Sequence, residues 1–234
     1  MKTYGFTKGG KHSNEDFGLK ITKREFNPPD QKYITKTVPF MNGSYNFSEL
    51  YGNSCYNDRV ITYYLDFKYR DKIEYFTKKT IITAWIKDNK ENILYDDLFP
   101  GYYFIINESY IEFEEAHLVD CDVVIKLIAY PFMIGSEYEG NNLWDEFNFE
   151  LDVLQDTSFN ISGSKDVSIY NVSAINIVPV VICSNDMEVI KDGVTYMFKH
   201  GTSEDYRFEL SVGENNMLIK GNGSIEFKFR KEVL

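Results

Sequence analysis

Carboxylates are the side chains of this sequence most able, by number, to do chemistry. Adjacent pairs such as Glu114/Glu115 and Asp96/Asp97 could divide the acid and base roles of glycoside hydrolysis, one carboxyl protonating the leaving oxygen while the other attacks or activates water. With 36 acidic residues in 234, however, such adjacency is expected by chance, and no pair earns an assignment. Metal ligands are sparser. His12, His117 and His200 are isolated, Cys55, Cys121 and Cys183 form no C-x-x-C pair, and neither an H-E-x-x-H helix nor an EF-hand loop occurs. The odd, widely spaced cysteines read as reduced structural thiols of a protein made in the cytoplasm. No G-x-S-x-G elbow, P-loop or G-x-G-x-x-G fingerprint is present, and Gly221-Asn222-Gly223 opens a strand rather than a helix, so phosphate cradling has no support. Trp144 and the Tyr-rich loop at 45–56 could stack on sugars or on a protein, although aromatics in a β-rich chain usually fill cores. The residues therefore lead to the expectation of no enzyme, no cofactor and no metal.

Charge narrows the partners. A formal net charge of −11 repels nucleic-acid phosphates and anionic membrane surfaces, which argues against sequence-specific nucleic-acid binding and membrane association. The charge is uneven: residues 1–40 carry eight Lys/Arg against four Asp/Glu, a net +4 that leaves −15 for the remainder. Such a basic end on an acidic body could complement a neighbouring copy head to tail. Met1 is followed by KTYGFTKGGKH with no apolar core, and no run of about 18 apolar residues occurs, so neither a signal peptide nor a membrane span is expected.

The elements that would position these groups read as mainly β, with an α+β N-terminal domain at 1–133, a linker at 134–145 and a β-sandwich at 146–234. The organising stretch is 36–67, where a Pro-bounded turn segment leads into a strand alternating through Ile61, Tyr63, Leu65 and Phe67. The long Gly- and Asn-containing loop from Pro39 to Ser54 has the length of a loop that contacts a partner. Before it, Gly9-Gly10 predicts a tight hairpin with a strand at Phe17–Ile21, and a further strand covers 32–38. Asp71 followed by Glu74 caps a helix over about 71–87, with Ile73, Phe76, Ile81, Ala84 and Trp85 as its core stripe. Leu94-Tyr95-Asp96-Asp97 marks a turn, and strands follow at 101–106, 109–115 and 121–129, the last central and the second exposing Tyr110, Glu112 and Glu114. In the second half Phe147, Phe149, Leu151 and Val153 alternate, Val178–Ile182 is a short apolar run, and Asp192-Gly193 gives the strongest hairpin signal. Further strands are expected at 205–212, 217–220 and 225–229.

The order of these features resembles the distal tail protein family of long-tailed bacteriophages, the ring that joins tail tube to baseplate. Phe6 with Gly10-Lys11-His12-Ser13, Asp16-Phe17-Gly18-Leu19 and Arg24 is similar to the family's opening. Val38-Pro39 followed by Asn42-Gly43-Ser44-Tyr45-Asn46-Phe47 resembles its most recognisable segment. The Arg59 strand, Ala84-Trp85-Ile86, Leu94–Asp97, Gly101-Tyr102-Tyr103 and Ala129-Tyr130-Pro131-Phe132 come in the family's sequence, and the end of the chain, Gly213–Asn216 through Gly221 and Ile225–Arg230, is similar to its galectin-like sandwich. The resemblance implies a homohexameric ring of N-terminal domains with sandwiches at the periphery. It also implies a tail tube above, a tail-associated hub or lysin protein below, receptor-binding proteins as further partners, and a place at the virion tail tip after assembly in the bacterial cytoplasm. The candidate interface residues are Val38, Pro39, Phe40, Asn42, Gly43, Tyr45, Phe47 and Arg59. The alternative is a carbohydrate-binding module that recognises host cell-wall glycan through the sandwich, although the galectin sugar-binding constellation has no counterpart here.

Overall fold

The structure is a computed structural model and describes residues 4–48, 55–116, 119–140 and 153–234, without the side chains of residues 115 and 116. The expected alternation at Phe147, Phe149 and Leu151, together with Trp144 and His117, lies outside the described residues. The fold is mainly β, with one helix among the described residues. In chain order the first elements are β1 (Phe6–Lys8), β2 (Lys11–His12), β3 (Lys20–Phe26), β4 (Thr35–Lys36), β5 (Tyr45–Asn46), β6 (Arg59–Lys68) and α1 (Lys72–Lys87). They are followed by β7 (Ile93–Asp96), β8 (Tyr102–Ala116), β9 (Asp120–Ala129), β10 (Met133–Gly135), β11 (Ser158–Asn171), β12 (Val180–Cys183), β13 (Met187–Lys191), β14 (Val194–Phe198), β15 (Gly201–Ser203), β16 (Gly213–Lys228) and β17 (Glu232–Val233). The chain forms two compact units, Met1–Met133 with Leu234, and Ile134–Val233.

The first unit is built on an antiparallel sheet in the order β2-β1-β7-β8-β9-β6-β3. Alternation decides which face is inside. Cys121, Val123, Ile125, Leu127 and Ala129 of the central β9, with Ile61, Tyr63, Leu65 and Phe67 of β6, are all buried on one face, while Asp122 and Lys126 stay exposed on the other. Helix α1 covers the inner face. Asp71 caps it, its Oδ1 accepting the Glu74 N–H at 2.8 Å. Trp85 anchors it, stacking on Phe17 and Phe6 with ring centroids 4.3 and 5.4 Å away and donating Nε1–H to the Lys8 carbonyl at 2.8 Å.

The helix faces differ from the expected stripe. Its buried residues are Ile82, Trp85 and Ile86, whereas Ile73, Phe76 and Ile81 point to solvent. Apolar residues occupy two faces of this helix, so period alone could not say which of them meets the sheet. Other local readings also change. The Gly9-Gly10 turn pairs β1 with β2 rather than with a strand at Phe17–Ile21, since residues 13–19 turn before β3 begins. Within 32–38 only β4 is strand. Leu94–Asp96 is part of β7 rather than a turn, because Leu94 and Asp96 both face the core. The two strands expected at 101–106 and 109–115 are one, β8, continuous through a register shift after Ile106.

A buried charge ties the inner strands together. Asp96 has a side chain with no exposure, and its Oδ2 takes Arg24 Nε–H at 3.2 Å and the Tyr63 hydroxyl at 2.9 Å, while Oδ1 takes the Leu98 N–H at 2.8 Å. Beside it, Asp97 Oδ2 accepts the Gly5 N–H at 2.8 Å and lies 3.3 Å from His12 Nε2. The pair considered for acid and base work is therefore a structural junction between β1, β3, β6 and β7.

In the second unit β11 and β16 run together for 14 residue pairs, from Ser158↔Glu226 to Asn171↔Gly213. Midway, Gly163, Gly221 and Gly223 adopt positive φ of 80°, 142° and 135°, and the ribbon folds over there. One half of β16 then pairs with β12 and the other with β13, in the path β14-β13-β16-β12-β15. Between the halves Phe208 packs on both Phe198 and Phe227, at 5.3 and 5.9 Å. Gln155 closes the fold by bonding the backbone of Tyr170 with both ends of its amide, each at 2.8 Å. The strands expected at 217–220 and 225–229 are thus one bent strand, and 205–212 is held by the single bridge Ile177↔Leu210 instead of a ladder. Asp192-Gly193 does form the predicted hairpin between β13 and β14, with φ of 52° and 77°. Among the described residues no helix is long and apolar enough to cross a membrane.

Two outcomes follow from these contacts. Burial, then the adjacent Asp96 carboxylate, holds the Tyr63 phenol well above its ordinary value of about 10. An acid that keeps its proton longer when folded contributes stability below its unfolded pKa and loses it as pH rises beyond that value. Tyr63→Phe should flatten the loss of urea midpoint above about pH 10, at a neutral-pH cost of about 1–2 kcal/mol for the hydrogen bond; an unaltered alkaline limb would reject Tyr63 as the titrating group. At Gly223 an added Cβ would meet Ser184 Oγ at 2.2 Å. Gly223→Ala should destabilise the second unit by about 1–3 kcal/mol and leave amide-exchange protection of β6 and β9 unchanged.

Candidate functional site

Between β3 and β6 the chain leaves the sheet as an arm. Its root is closed by backbone bonds, Asn57 N–H to the Asp30 carbonyl at 2.9 Å and Lys32 N–H to that of Cys55 at 2.7 Å, around the bridge Gln31↔Tyr56. Farther out β4 and β5 pair through Thr35↔Asn46 and Lys36↔Tyr45, and Phe47 N–H donates to the Ile34 carbonyl at 2.8 Å. The buried Ser48 hydroxyl takes the Ile34 N–H at 2.8 Å, and Asn46 Oδ1 takes the Ser48 N–H at 2.9 Å. Short polar side chains thus hold a two-stranded ribbon whose described residues form no core of their own.

Among its exposed lysines, threonines and asparagines the arm displays large apolar side chains. Tyr33, Ile34, Val38, Phe40, Tyr45 and Phe47 are all exposed, and Phe40 is completely so. At the tip a turn closes with Met41 N–H on the Val38 carbonyl at 3.2 Å, Phe40 sits at φ 67° and Gly43 at φ 84°. Gly43 adopts that conformation freely, whereas a phenylalanine in the left-handed region is strained by about 1–3 kcal/mol. The strain is spent on presenting an aromatic ring to solvent. Seven of the sequence-predicted residues, Val38, Pro39, Phe40, Asn42, Gly43, Tyr45 and Phe47, are brought together on this arm.

Arg59, the eighth, is elsewhere. It heads β6, is only 4% exposed, and lies with its guanidinium 5.5 Å from the centre of the Phe104 ring. Two surfaces escaped the sequence reading. The outer face of α1 carries Ile73, Phe76 and Ile81 among Thr77 and Thr80, all exposed, and was hidden because those residues were read as core. At one end of the sheet β3 presents exposed Lys20 and Lys23. On β8, which lies between β7 and β9, Glu108, Tyr110, Glu112 and Glu114 are exposed. The acidic row was expected from alternation; the place of its basic counterpart on β3, the end strand of the sheet, required the strand order.

The remaining candidates for chemistry are dispersed. Cys121 and Cys183 are buried free thiols, burial pushing Cys183 up to about 11, and Cys55 is exposed at the arm root. His12 packs against Asp97, and the exposed His200 donates its backbone N–H to Asp186 at 2.9 Å. Among the described residues no group of three His, Cys, Asp or Glu side chains could hold a metal ion. A groove of about 390 Å³ between α1 and the β1–β2 turn, with Ile81, Ala84 and Trp85 on one wall and Lys8, Lys11 and Lys90 on the other, offers Lys8 no free ammonium, since its Nζ donates to the Asp88 carbonyl. The arrangement is one of surfaces.

No family model and no curated protein matches this sequence. Among solved structures, the crystal structure of the Dit (gp 19.1) protein of SPP1 is similar along the whole length, with a TM-score of 0.65 at 10% identity and 100% of both chains covered. That protein is described as a paradigm of the hub adsorption apparatus in phages that infect Gram-positive bacteria. At this identity the likeness is one of fold.

Proposed function

We propose that this chain is a structural component of a phage tail adsorption apparatus, a distal tail protein that closes into a homohexameric ring between tail tube and tail tip. The observation that carries the reading is the likeness to the SPP1 hub protein, which spans both units rather than one common sheet. The collinear motifs from Phe6 to Arg230 support it, and so do surfaces that are incomplete in a single chain. A basic β3 end and an acidic β8 belong to the same sheet, so copies placed head to tail would bring opposite charges together, the heterologous contact from which rings are made. The apolar arm supplies the energetic part of that contact or of the one to the tail tube, because exposed apolar clusters of this kind mark protein interfaces.

In this reading the galectin-like sandwich lies at the ring's periphery and meets receptor-binding proteins, and a tail-associated hub or lysin protein sits below. The ring assembles in the bacterial cytoplasm and ends at the virion tail tip. Acidic side chains line the passage, where like charge keeps DNA from adhering and no sequence is read.

Native mass spectrometry with negative-stain imaging of the same sample should show rings of six 27.4 kDa chains with a central opening. A monomer at every concentration, still unassembled when tube or hub protein is added, overturns the reading, and binding of cell-wall glycan by that monomer would install the carbohydrate-binding alternative. A second outcome concerns the arm. Val38→Asp with Phe40→Asp should leave stability within about 0.5 kcal/mol per site, since both are exposed, yet abolish assembly. Wild-type assembly by this double variant would remove the arm from the interface.

A further inference from the structure

The tip of the arm holds out a side chain that nothing in the chain receives. Phe40 sits at φ 67° and is completely exposed, so no packing of its ring offsets the strain of its left-handed backbone. From Thr37 to Ser48 the arm carries no charged residue. An aromatic anchor of this kind commonly dominates a protein interface, and it needs a pocket to fill. The first unit has such a pocket. The groove of about 390 Å³ between α1 and the β1–β2 turn is reached from solvent, since Ile81, Ala84, Lys11 and Lys90 among its lining residues are all exposed, and the nearly buried Trp85 completes its apolar wall.

The charges of the groove decide between occupants. Lys8, Lys11 and Lys90 share it with Asp88 and Glu91, which leaves one net positive charge. An anionic ligand would meet the two carboxylates, whereas an uncharged ring can lie on the apolar wall and turn its electron-rich face to the ammonium groups, as the Phe17 ring already does toward Lys11 at 5.9 Å. Ile81 also belongs to the exposed stripe with Ile73 and Phe76 on the outer face of α1. There Thr77 and Thr80 donate their hydroxyls to the Ile73 and Phe76 carbonyls at 2.8 and 2.9 Å, so the stripe shows methyl groups in place of free hydroxyls. Its apolar surface continues the groove and suits the exposed Val38 beside Phe40. We propose that the groove is a socket for Phe40 of a second copy of this chain, with the arm tip lying along the neighbour's α1. Knob and socket are different surfaces of one chain, so each copy gives one and receives one, the heterologous contact that a ring requires. The inference rests on the reading that copies of the chain assemble.

A cross-link and a mutant cycle in the full-length protein test it. With Phe40→p-benzoylphenylalanine, irradiation of the assembled protein should join copies through a peptide that contains residues 81–91. Phe40→Ala removes the ring and Ala84→Trp fills the groove, and each should weaken assembly by about 30-fold or more in analytical ultracentrifugation. Because the two changes break one contact, the double variant should lie within about threefold of either single variant. Both positions are exposed, so the dissociated chains should melt within about 2 °C of wild type; should Ala84→Trp not fold, Ala84→Leu takes its place. Links from position 40 to any other segment, or only to added tube protein, overturn the socket and leave the ring standing, as does a groove-filled chain that assembles at wild-type strength. Losses that multiply in the double variant put the two residues in separate contacts and overturn it as well. A wild-type chain that never assembles removes both readings.

Discussion

A carboxylate with no access to water constrains the whole N-terminal unit. Enclosing Asp96 without compensation would cost several kcal/mol, so the fold is viable only where Arg24, Tyr63 and the Leu98 N–H converge on it. Those partners come from β3, β6 and the turn after β7, elements far apart in sequence. A slip of one residue in β6 would turn Tyr63 outward and leave the acid short of a donor, while exposing Ile61, Leu65 and Phe67 as well. Polar pairing and apolar burial therefore select the same register, and the helix, anchored by Trp85 on the β1 carbonyl of Lys8, is laid on a sheet whose alignment is already determined.

The same unit leaves other groups uncompensated, and they lie where the core does not reach. Among the described residues the arm has hydrogen bonds but no interior, α1 carries apolar residues on the side away from the sheet, and Arg59 Nε is buried without an acceptor. Each of these costs free energy in a lone chain, and the apolar area is of a kind that a protein neighbour removes by burial. A catalytic protein stores its unfavourable groups in a cleft around a substrate. Here they are spread over an extended ribbon, a helix face and a strand end, which on the proposed reading another protein surface would cover.

How much of this could be read in the sequence depended on whether a residue's role was local. Asp192-Gly193 and Gly9-Gly10 impose their turns through backbone torsions alone, and Asp71 caps a helix through a bond three residues away, so all three were legible. Strand β6 declared itself by alternation and β9 by a nearly continuous apolar run. Of the helix stripe only Trp85 was legible, because Ile73, Phe76 and Ile81 are as apolar as Ile82 and Ile86, and only the sheet decides between them. Strand β11 escaped notice because Ser162, Gly163, Ser164 and Asp166 carry turn chemistry, and their strand state comes entirely from the register imposed by β16. On the site, the arm was visible as a long loop with Pro39 and Gly43, but neither the exposure of Phe40 nor the burial of Arg59 follows from residue type.

A chain with so much uncovered apolar surface must also avoid premature association, and its charge distribution bears on this. At −11 overall, copies repel at long range. The repulsion is not uniform, since the first 40 residues hold a net +4 against −15 in the rest, and the basic strand β3 lies at one end of the sheet. Approach with β3 toward a neighbour's acidic surface is therefore the least opposed, and once that approach is made, contacts shorter than the screening length of about 8–10 Å take over. Apolar surface supplies attraction without direction; the acidic body with one basic end supplies direction at modest cost. On the proposed reading both are needed, because a ring closes only if every copy meets the next in the same way.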